Sequence, residues 1–192
     1  MAAKEDKHII KQIKNGDVAA YSVLIERYRH MVFTLALQLL KNEADAEEVA
    51  QDAFLKAYRA LDKFEGRSSF STWIYKITYF QAISKLRKSK KKEVGYDEDF
   101  NGYEKSQFTE DLGTDLLEAQ DRSRFLKIAL GKIKGEEATV LTLFYFEDLK
   151  TEEIAEITGM SVSNVKVRLH RGRQNLLKEL KVALKKEAAS LL

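Results

Sequence analysis

The 192-residue chain contains no proline, and its apolar residues recur at intervals of three and four along most of its length. Proline interrupts helices because it lacks a backbone N–H and clashes with the preceding turn, so this chain permits long uninterrupted helices. Apolar residues spaced by three and four lie on one face of a helix, whereas strands alternate with a period of two. The sequence therefore predicts an all-α fold without strands.

Charge is segregated along the chain. Residues 85–92 form a basic block, and residues 93–121 then carry ten acidic side chains against the single Lys105. Segment 93–115 also has three glycines and no sustained periodicity, which is typical of a flexible linker. We predict two small helical domains, residues 1–92 and 116–192, joined by this flexible acidic linker, and we expect the two halves to move relative to each other.

Several functional classes are disfavoured by composition. The chain has no cysteine and three scattered histidines, so we expect no metal and no other cofactor. We find no carboxylate pair, nucleophile with a base, or phosphate-binding glycine loop, so we do not predict an enzyme. No apolar run approaches the roughly 20 residues that span a bilayer, and the charged start resembles no secretory signal. We expect a cytoplasmic protein without membrane insertion.

The segment from residue 151 to 165 has the pattern of a helix-turn-helix. Thr151 can cap a first short helix, and Ala155 is small where a second helix must cross closely. Gly159 permits the left-handed backbone of a tight turn, and Ser161 can cap the second helix. These features fall at mutually consistent positions, which favours a DNA-binding motif over an ordinary bundle.

The outward face of the second helix is polar and cationic, as expected of a recognition helix that binds in the major groove of DNA. Lys166 and Arg171 suit phosphates or guanine edges, whereas Asn164 and His170 can hydrogen-bond bases. The alternative is a solvated charged face without a ligand. The predicted DNA-binding residues are Ser163, Asn164, Lys166, Val167, Arg168, His170, Arg171 and Arg173.

In the first domain, a helix from Asp45 to Leu61 presents an acidic face that includes one leucine. An apolar side chain among acids is typical of a protein interface, although a solvated acidic face fits the same pattern. The residues of this face are Asp45, Glu47, Glu48, Gln51, Asp52 and Leu55.

The next predicted helix, from about Phe70 to the basic block, is rich in aromatic residues. One stripe of Phe70, Ile74 and Ile77 suffices for its core. The surplus aromatic side chains, Trp73, Tyr75, Tyr79 and Phe80, have cations nearby and suit stacking on unpaired bases, as in proteins that hold single-stranded DNA. Trp73 is equally compatible with a plain core position.

Two separate parts of the chain resemble the extracytoplasmic-function sigma factors, in the same order as in that family. Residues 45–61 (DAEEVAQDAFLKAYRAL) and 66–87 (GRSSFSTWIYKITYFQAISKLR) are similar to its second conserved region. Residues 140–146, 151–159 and 164–173 (NVKVRLHRGR) are similar to its fourth region. The resemblance covers nearly the whole chain.

The resemblance implies a function and a set of partners. The fourth region would bind duplex minus-thirty-five DNA, and the acidic face from Asp45 to Leu55 would dock on the clamp helices of core RNA polymerase. The second region would hold and melt the minus-ten element as a single strand, with a flipped base in the loop from Phe64 to Ser69. An anti-sigma factor is a usual further partner. The minus-ten residues would be Phe64, Arg67, Ser68, Ser69, Trp73, Lys76, Tyr79, Phe80 and Arg87.

The chain departs from the family pattern at a few positions. Phe80 and Ser84 stand where members often have Asn and Asp. Lys134 and Gly135 replace a common Leu-Pro helix start, and Gly172 replaces an Ala. Because glycine is a poor helix former, we expect these glycines to loosen a helix start and its packing.

Two other functions use the same elements. A conventional helix-turn-helix regulator would bind duplex promoter DNA tightly alone, usually as a dimer. A helical adaptor would bind only protein and tolerate loss of Lys166 and Arg171. A sigma factor would instead direct transcription once it is added to core polymerase.

Overall fold

The computed structural model describes residues 2–92, 126 and 128–190, and within these ranges the chain forms helices and loops but no strand. This confirms the all-α prediction. The predicted linker and residues 116–125 of the predicted second domain lie outside the described residues. The α-helices whose full extent is described are α1 (Ala2–Lys14), α2 (Tyr21–Leu40), α3 (Glu43–Ala60), α4 (Phe70–Lys92), α5 (Gly135–Tyr145), α6 (Thr151–Thr158) and α7 (Val162–Ser190). Residues 128–132 are also helical.

The first domain is built on α2, α3 and α4, which pack against one another. The face of α3 that meets its neighbours carries Ala46, Ala53 and Ala57, all fully buried. Small side chains let the helix axes approach closely, so this stripe positions α3 against α2 and α4. The Tyr21 hydroxyl donates a hydrogen bond of 2.7 Å to the Phe54 carbonyl and fixes the register of α2 against α3.

The first helix is attached to the domain through a buried carboxylate. Asp6 on α1 is almost fully buried and accepts hydrogen bonds from the Arg27 guanidinium and the Tyr28 hydroxyl of α2. A buried charge requires such partners to offset its lost hydration. The network therefore fixes α1 at one position along α2, with Ile10 and Ile13 buried behind it.

The second domain consists of α5, α6 and α7, packed around buried aliphatic side chains. Leu141 of α5, Ile154 of α6 and Val165 of α7 are fully buried at their meeting point. Gly172 of α7 lies against α5, where an added Cβ would sit 3.1 Å from the Leu141 side chain. The missing side chain allows this close contact between the two helices, and the expected loosening at Gly172 stays a prediction.

The two domains pack together in the structure and share one continuous hydrophobic core. Helix α2 lies against α5, and α4 lies against α6. This contact was not predicted from the sequence, where the acidic linker led us to expect two domains that move relative to each other. No helix among the described residues is both long and apolar enough to cross a membrane.

Lys41 gives a titratable marker of this domain contact. Its ammonium donates a hydrogen bond of 3.0 Å to the Gly131 carbonyl across the interface. Burial lowers the pKa of Lys41 from 10.5 to about 8. Below pH 8 Lys41 is charged in both states, so burying its ammonium lowers the free energy of unfolding by the full cost. As pH rises from about 8 to about 10.5, only the unfolded state still holds the proton, so the free energy of unfolding increases.

We expect an NMR titration of the Lys41 side-chain resonance to inflect near pH 8, with Lys41→Met identifying the signal. An inflection at the ordinary lysine value would contradict burial of this side chain between the domains.

Candidate nucleic-acid interface

The helix-turn-helix is formed by α6, a tight turn and α7. Gly159 ends α6 with a φ of +71°, the left-handed conformation that the sequence predicted for this turn. The Ser161 hydroxyl accepts a 3.2 Å hydrogen bond from the Asn164 amide, as expected for a cap. The predicted cap at Thr151 is wrong by one residue, because α6 begins at Thr151 and the cap position is Lys150. The Lys150 amide donates a hydrogen bond of 2.9 Å to the Glu153 carboxylate in the first turn.

The first three turns of α7 have one buried face and one exposed face, which is the face predicted to read DNA. Val165 and Leu169 are buried against α5 and α6. Among the predicted DNA-binding residues, the exposed ones are Ser163, Asn164, Lys166, Val167, His170, Arg171 and Arg173. Their side chains point away from the protein, so a groove of duplex DNA has access to hydrogen-bonding groups and cations on one surface.

Two arginines of α7 are held by other parts of the second domain. Arg168 pairs with Glu136 of α5 at 2.6 Å and is only partly exposed. The Arg173 guanidinium lies 5.5 Å from the ring centroids of Phe144 and Tyr145, and its Nε donates to the Tyr145 hydroxyl at 2.7 Å. Stacking of this kind fixes an arginine in one orientation while leaving its charge accessible.

The loop before α4 forms a small aromatic and polar corner. The Phe64 ring lies 4.8 Å from the Trp73 ring, and both side chains are partly exposed. The Ser69 hydroxyl caps α4 by accepting a 3.0 Å hydrogen bond from the Thr72 amide, and Ser68 is partly exposed beside it. Arg67 is exposed and pairs with Glu65 at 2.6 Å.

The predicted single-strand residues of α4 differ in accessibility. Lys76 is partly exposed and Arg87 is exposed. Phe80 keeps 46% of its surface exposed, whereas Tyr79 keeps 4%. Burial raises the pKa of Tyr79 to about 12. One of the predicted strand-binding rings is therefore inaccessible in this structure.

Tyr75 is a core residue. The sequence grouped it with the surplus aromatics of α4, but its ring is almost completely buried and contacts the Tyr28 ring edge-on at 6.1 Å. This correction leaves Trp73, Tyr79 and Phe80 as candidates for base stacking.

The acidic face of α3 is accessible in the structure. Glu47, Glu48, Gln51 and Asp52 are exposed, and so is 53% of the Leu55 side chain. Asp45 is partly exposed, and Lys85 of α4 pairs with Asp45 at 2.8 Å and with Glu48 at 2.6 Å. These ion pairs connect the start of this face to α4, and Leu55 remains uncovered.

A basic groove next to this face was missed by the sequence analysis. It lies between α3 and α4, has a volume of about 460 Å³, and is lined by Lys56, Arg59 and Lys63 together with Asp52 and Leu55. The spacing of three and four between the cations is a helical signal that could have revealed it. The acidic face and this groove therefore form one surface of mixed charge.

These surfaces define a DNA-binding protein with a helix-turn-helix in one domain and an aromatic, basic helix in the other. Comparisons with known proteins identify the class more closely. A family model described as Sigma-70 region 2 matches residues 24–92, and one described as Sigma-70, region 4 matches residues 129–176. Together the two models match more than half of the chain.

Individual relatives agree with these models. The chain is 35% identical to the ECF RNA polymerase sigma factor SigW of Bacillus subtilis, over 91% of this chain and 96% of that protein. It is 28% identical to the RNA polymerase sigma-H factor of Pseudomonas aeruginosa, over 96% of this chain and 98% of that one. The sigma factor RpoE of Bartonella quintana, solved in complex with the anti-sigma factor NepR, has a similar fold, with a TM-score of 0.66 and 22% identity over 84% of this chain and 97% of that one.

The chain belongs to the extracytoplasmic-function sigma factors of the sigma-70 family. It is therefore a non-enzymatic initiation factor that binds core RNA polymerase and directs promoter-specific transcription.

Gly159 provides a test of the turn geometry. We expect Gly159→Ala to lower the free energy of unfolding by about 1–2 kcal/mol, because a side chain disfavours the left-handed backbone. The new Cβ would also lie 3.1 Å from the Phe80 ring and add to this loss. Gly66→Ala is the matched control, since Gly66 has a φ of +70° and no atom within 4 Å of an added Cβ. Equal losses in urea unfolding would contradict the Phe80 contact.

Proposed function

We propose that the exposed face of α7 reads the duplex minus-thirty-five element. The observation that supports this most strongly is the segregation of α7 into a buried apolar face and an exposed polar one. Lys166 and Arg171 contact phosphates or guanine edges, and Asn164 and His170 hydrogen-bond the bases. Arg173 is pre-oriented by its two aromatic neighbours, and Arg168 reaches DNA only by exchanging its pairing with Glu136.

The loop and exposed side of α4 hold the minus-ten element as a single strand. Phe64 and Trp73 form an aromatic corner where an extruded base can stack, and Arg67 lies exposed at its edge. Extruding a base costs a few kcal/mol, which stacking and phosphate contacts offset. Ser68 and Ser69 supply hydroxyls to the same corner, and the remaining contacts come from Lys76, Phe80 and Arg87. Tyr79 is 4% exposed and would have to be uncovered before it could take part.

The acidic face of α3 docks on core polymerase, with Leu55 as its apolar anchor. An exposed leucine surrounded by charged groups suits an interface in which a small apolar centre is enclosed by a polar rim. In this scheme residues 1–92 bind polymerase and open DNA, 93–115 form the linker, and 116–192 read duplex DNA.

An anti-sigma factor is the further partner in this proposal. The solved structures with a similar fold include CnrH in complex with the cytosolic domain of CnrY, as well as RpoE with NepR. We place the chain in the cytoplasm, where polymerase and promoter DNA are found.

Run-off transcription with core polymerase tests the proposal directly. We expect the double change of Lys166 and Arg171 to Ala to abolish most initiation and to reduce the salt slope of holoenzyme binding by about one per lost phosphate contact. The matched control changes Lys178 and Lys181 to Ala, two exposed cations further along α7. Equal activity of the two double variants would rule out the α7 reading face.

The docking face requires a separate measurement. Leu55→Asp should weaken binding to core polymerase by about tenfold or more, because it replaces an interface anchor with a charge among acids. Leu177→Asp is the matched control, because Leu177 on α7 is 55% exposed and Leu55 is 53% exposed. An unchanged affinity for Leu55→Asp would contradict docking through this face.

A further inference from the structure

Residues 64–69 form the loop that carries the aromatic corner, and we call this segment the corner loop. Its ends are held by two backbone hydrogen bonds. The Phe64 amide donates to the Leu61 carbonyl at 3.0 Å, and the Trp73 amide donates to the Ser69 carbonyl at 3.1 Å. Between these bonds the loop makes no other backbone-to-backbone hydrogen bond with the described residues. Its shape therefore depends on contacts made by side chains.

Lys14, at the end of α1, supplies such a contact from a distant part of the sequence. Its ammonium donates hydrogen bonds of 3.2 Å to the Asp62 carbonyl and 2.9 Å to the Phe64 carbonyl. These acceptors lie where the chain leaves the short 3-10 helix Leu61–Lys63 and enters the corner loop. Hydrogen bonds from a charged donor are stronger than those between neutral groups, so Lys14 fixes the direction in which the loop starts.

The donor belongs to a helix that is itself held in place. Asp6 of α1 is buried and accepts hydrogen bonds from two side chains of α2. Ile13, the residue before Lys14, is buried in the core. The Gly16 amide donates a hydrogen bond of 3.0 Å to the Ile13 carbonyl and closes the end of the helix. Lys14 therefore connects the corner loop to a fixed point of the first domain.

Phe64 links this contact to the aromatic corner. The residue whose carbonyl binds Lys14 also places its ring 4.8 Å from the Trp73 ring and 6.2 Å from the Phe70 ring. Between the corner loop and α1 lies an open hollow of about 270 Å³. The hollow is lined by Lys7, Ile10, Phe64, Glu65 and Gly66. A loop displaced from α1 would change both the width of this hollow and the position of the Phe64 ring.

The contact from Lys14 contributes little to the stability of the whole chain. Lys14 is exposed, and a hydrogen bond between exposed groups mainly replaces bonds to water. Its effect on binding is different, because a loop already held in its binding conformation loses less conformational entropy when the ligand arrives. The importance of Lys14 therefore lies in the shape of the corner loop.

We propose that Lys14 is a positioning residue for minus-ten DNA, because it holds the corner loop in the shape that receives the extruded base. The inference rests on the proposed function of the corner, in which that base stacks on Phe64 and Trp73. Lys14 acts through the Phe64 carbonyl and does not itself contact the base. Helix α1 thereby joins the elements that prepare strand opening. Loss of Lys14 weakens capture of the base, while duplex reading by α7 and docking by α3 continue.

Trp73 is the only tryptophan of the chain, so its fluorescence reports the shape of the corner. Lys14→Met removes the ammonium, and we expect it to shift the emission of the free full chain to longer wavelength and to raise quenching by acrylamide. Lys14→Arg retains donors and should restore the signal. Lys11→Met is the matched control, because Lys11 is an exposed lysine in the same last turn of α1. An unchanged signal in Lys14→Met, or an equal shift in Lys11→Met, would overturn the inference.

Binding of DNA by the holoenzyme tests the consequence for the strand. The probes are the single-stranded minus-ten segment of a promoter mapped in the run-off assay and copies with an abasic site at each position in turn. The position where the missing base costs the unmodified holoenzyme most affinity marks the extruded base. Lys14→Met should weaken binding to the intact strand about fivefold, within the range of one net hydrogen bond. On the strand that lacks this base it should bind as well as the unmodified holoenzyme.

The abasic strand separates positioning from a general effect of charge or folding. An equal deficit of Lys14→Met on the intact and abasic strands would overturn the positioning role, and so would unchanged affinity for the intact strand. Lys14→Arg should recover most of the lost affinity, and Lys11→Met should lose none. Binding to core polymerase and to the duplex minus-thirty-five segment should be unchanged, and a parallel loss of either would also contradict the inference. An unmodified holoenzyme that lost no affinity at any abasic site would instead refute the proposed base-holding corner.

Discussion

The rest of the structure depends on the burial of α4 from two sides. Phe70, Ile74 and Ala82 are buried with the core of the first domain. Tyr75 is also buried but bonds Glu147 of the second domain, and Tyr79 is covered there. A helix that is buried on one side needs only one apolar stripe. The additional buried rings of α4, Tyr75 and Tyr79, are explained by its second neighbour, the second domain. The helix that joins the two domains is also the helix proposed to hold the melted strand.

Much of the fold could be predicted from local patterns. The absence of proline and the spacing of apolar residues identified an all-α chain, and Gly159 and Ser161 marked the turn and the cap of the helix-turn-helix. The outward face of α7 followed from helical periodicity, since Val165 and Leu169 fix which side is buried. Each of these features depends on residues close together in the sequence, so local sequence patterns are enough to predict it.

The features that could not be predicted depend on contacts between distant segments. Helical spacing assigned Tyr75 and Tyr79 to the surface because it cannot show that a second domain covers α4. Propensity assigned Gly135 and Gly172 a loosening effect but could not show that a side chain at Gly135 would meet the backbone of α2, or that one at Gly172 would crowd the Leu141 side chain. The Thr151 cap failed for a local reason, because the helix begins at Thr151 and places that residue inside its first turn, while the Glu153 carboxylate accepts a hydrogen bond from the amide of Lys150, the residue before it.

Helix α7 continues without interruption from the DNA-reading face to Ser190. Its 29 residues make a rod of about 44 Å, at about 1.5 Å per residue. Because the side chains proposed to read DNA lie near one end, a tilt of about 5° there would displace the far end by about 4 Å over this length. A partner bound to the distal turns would therefore change the angle at which the proposed reading face meets DNA.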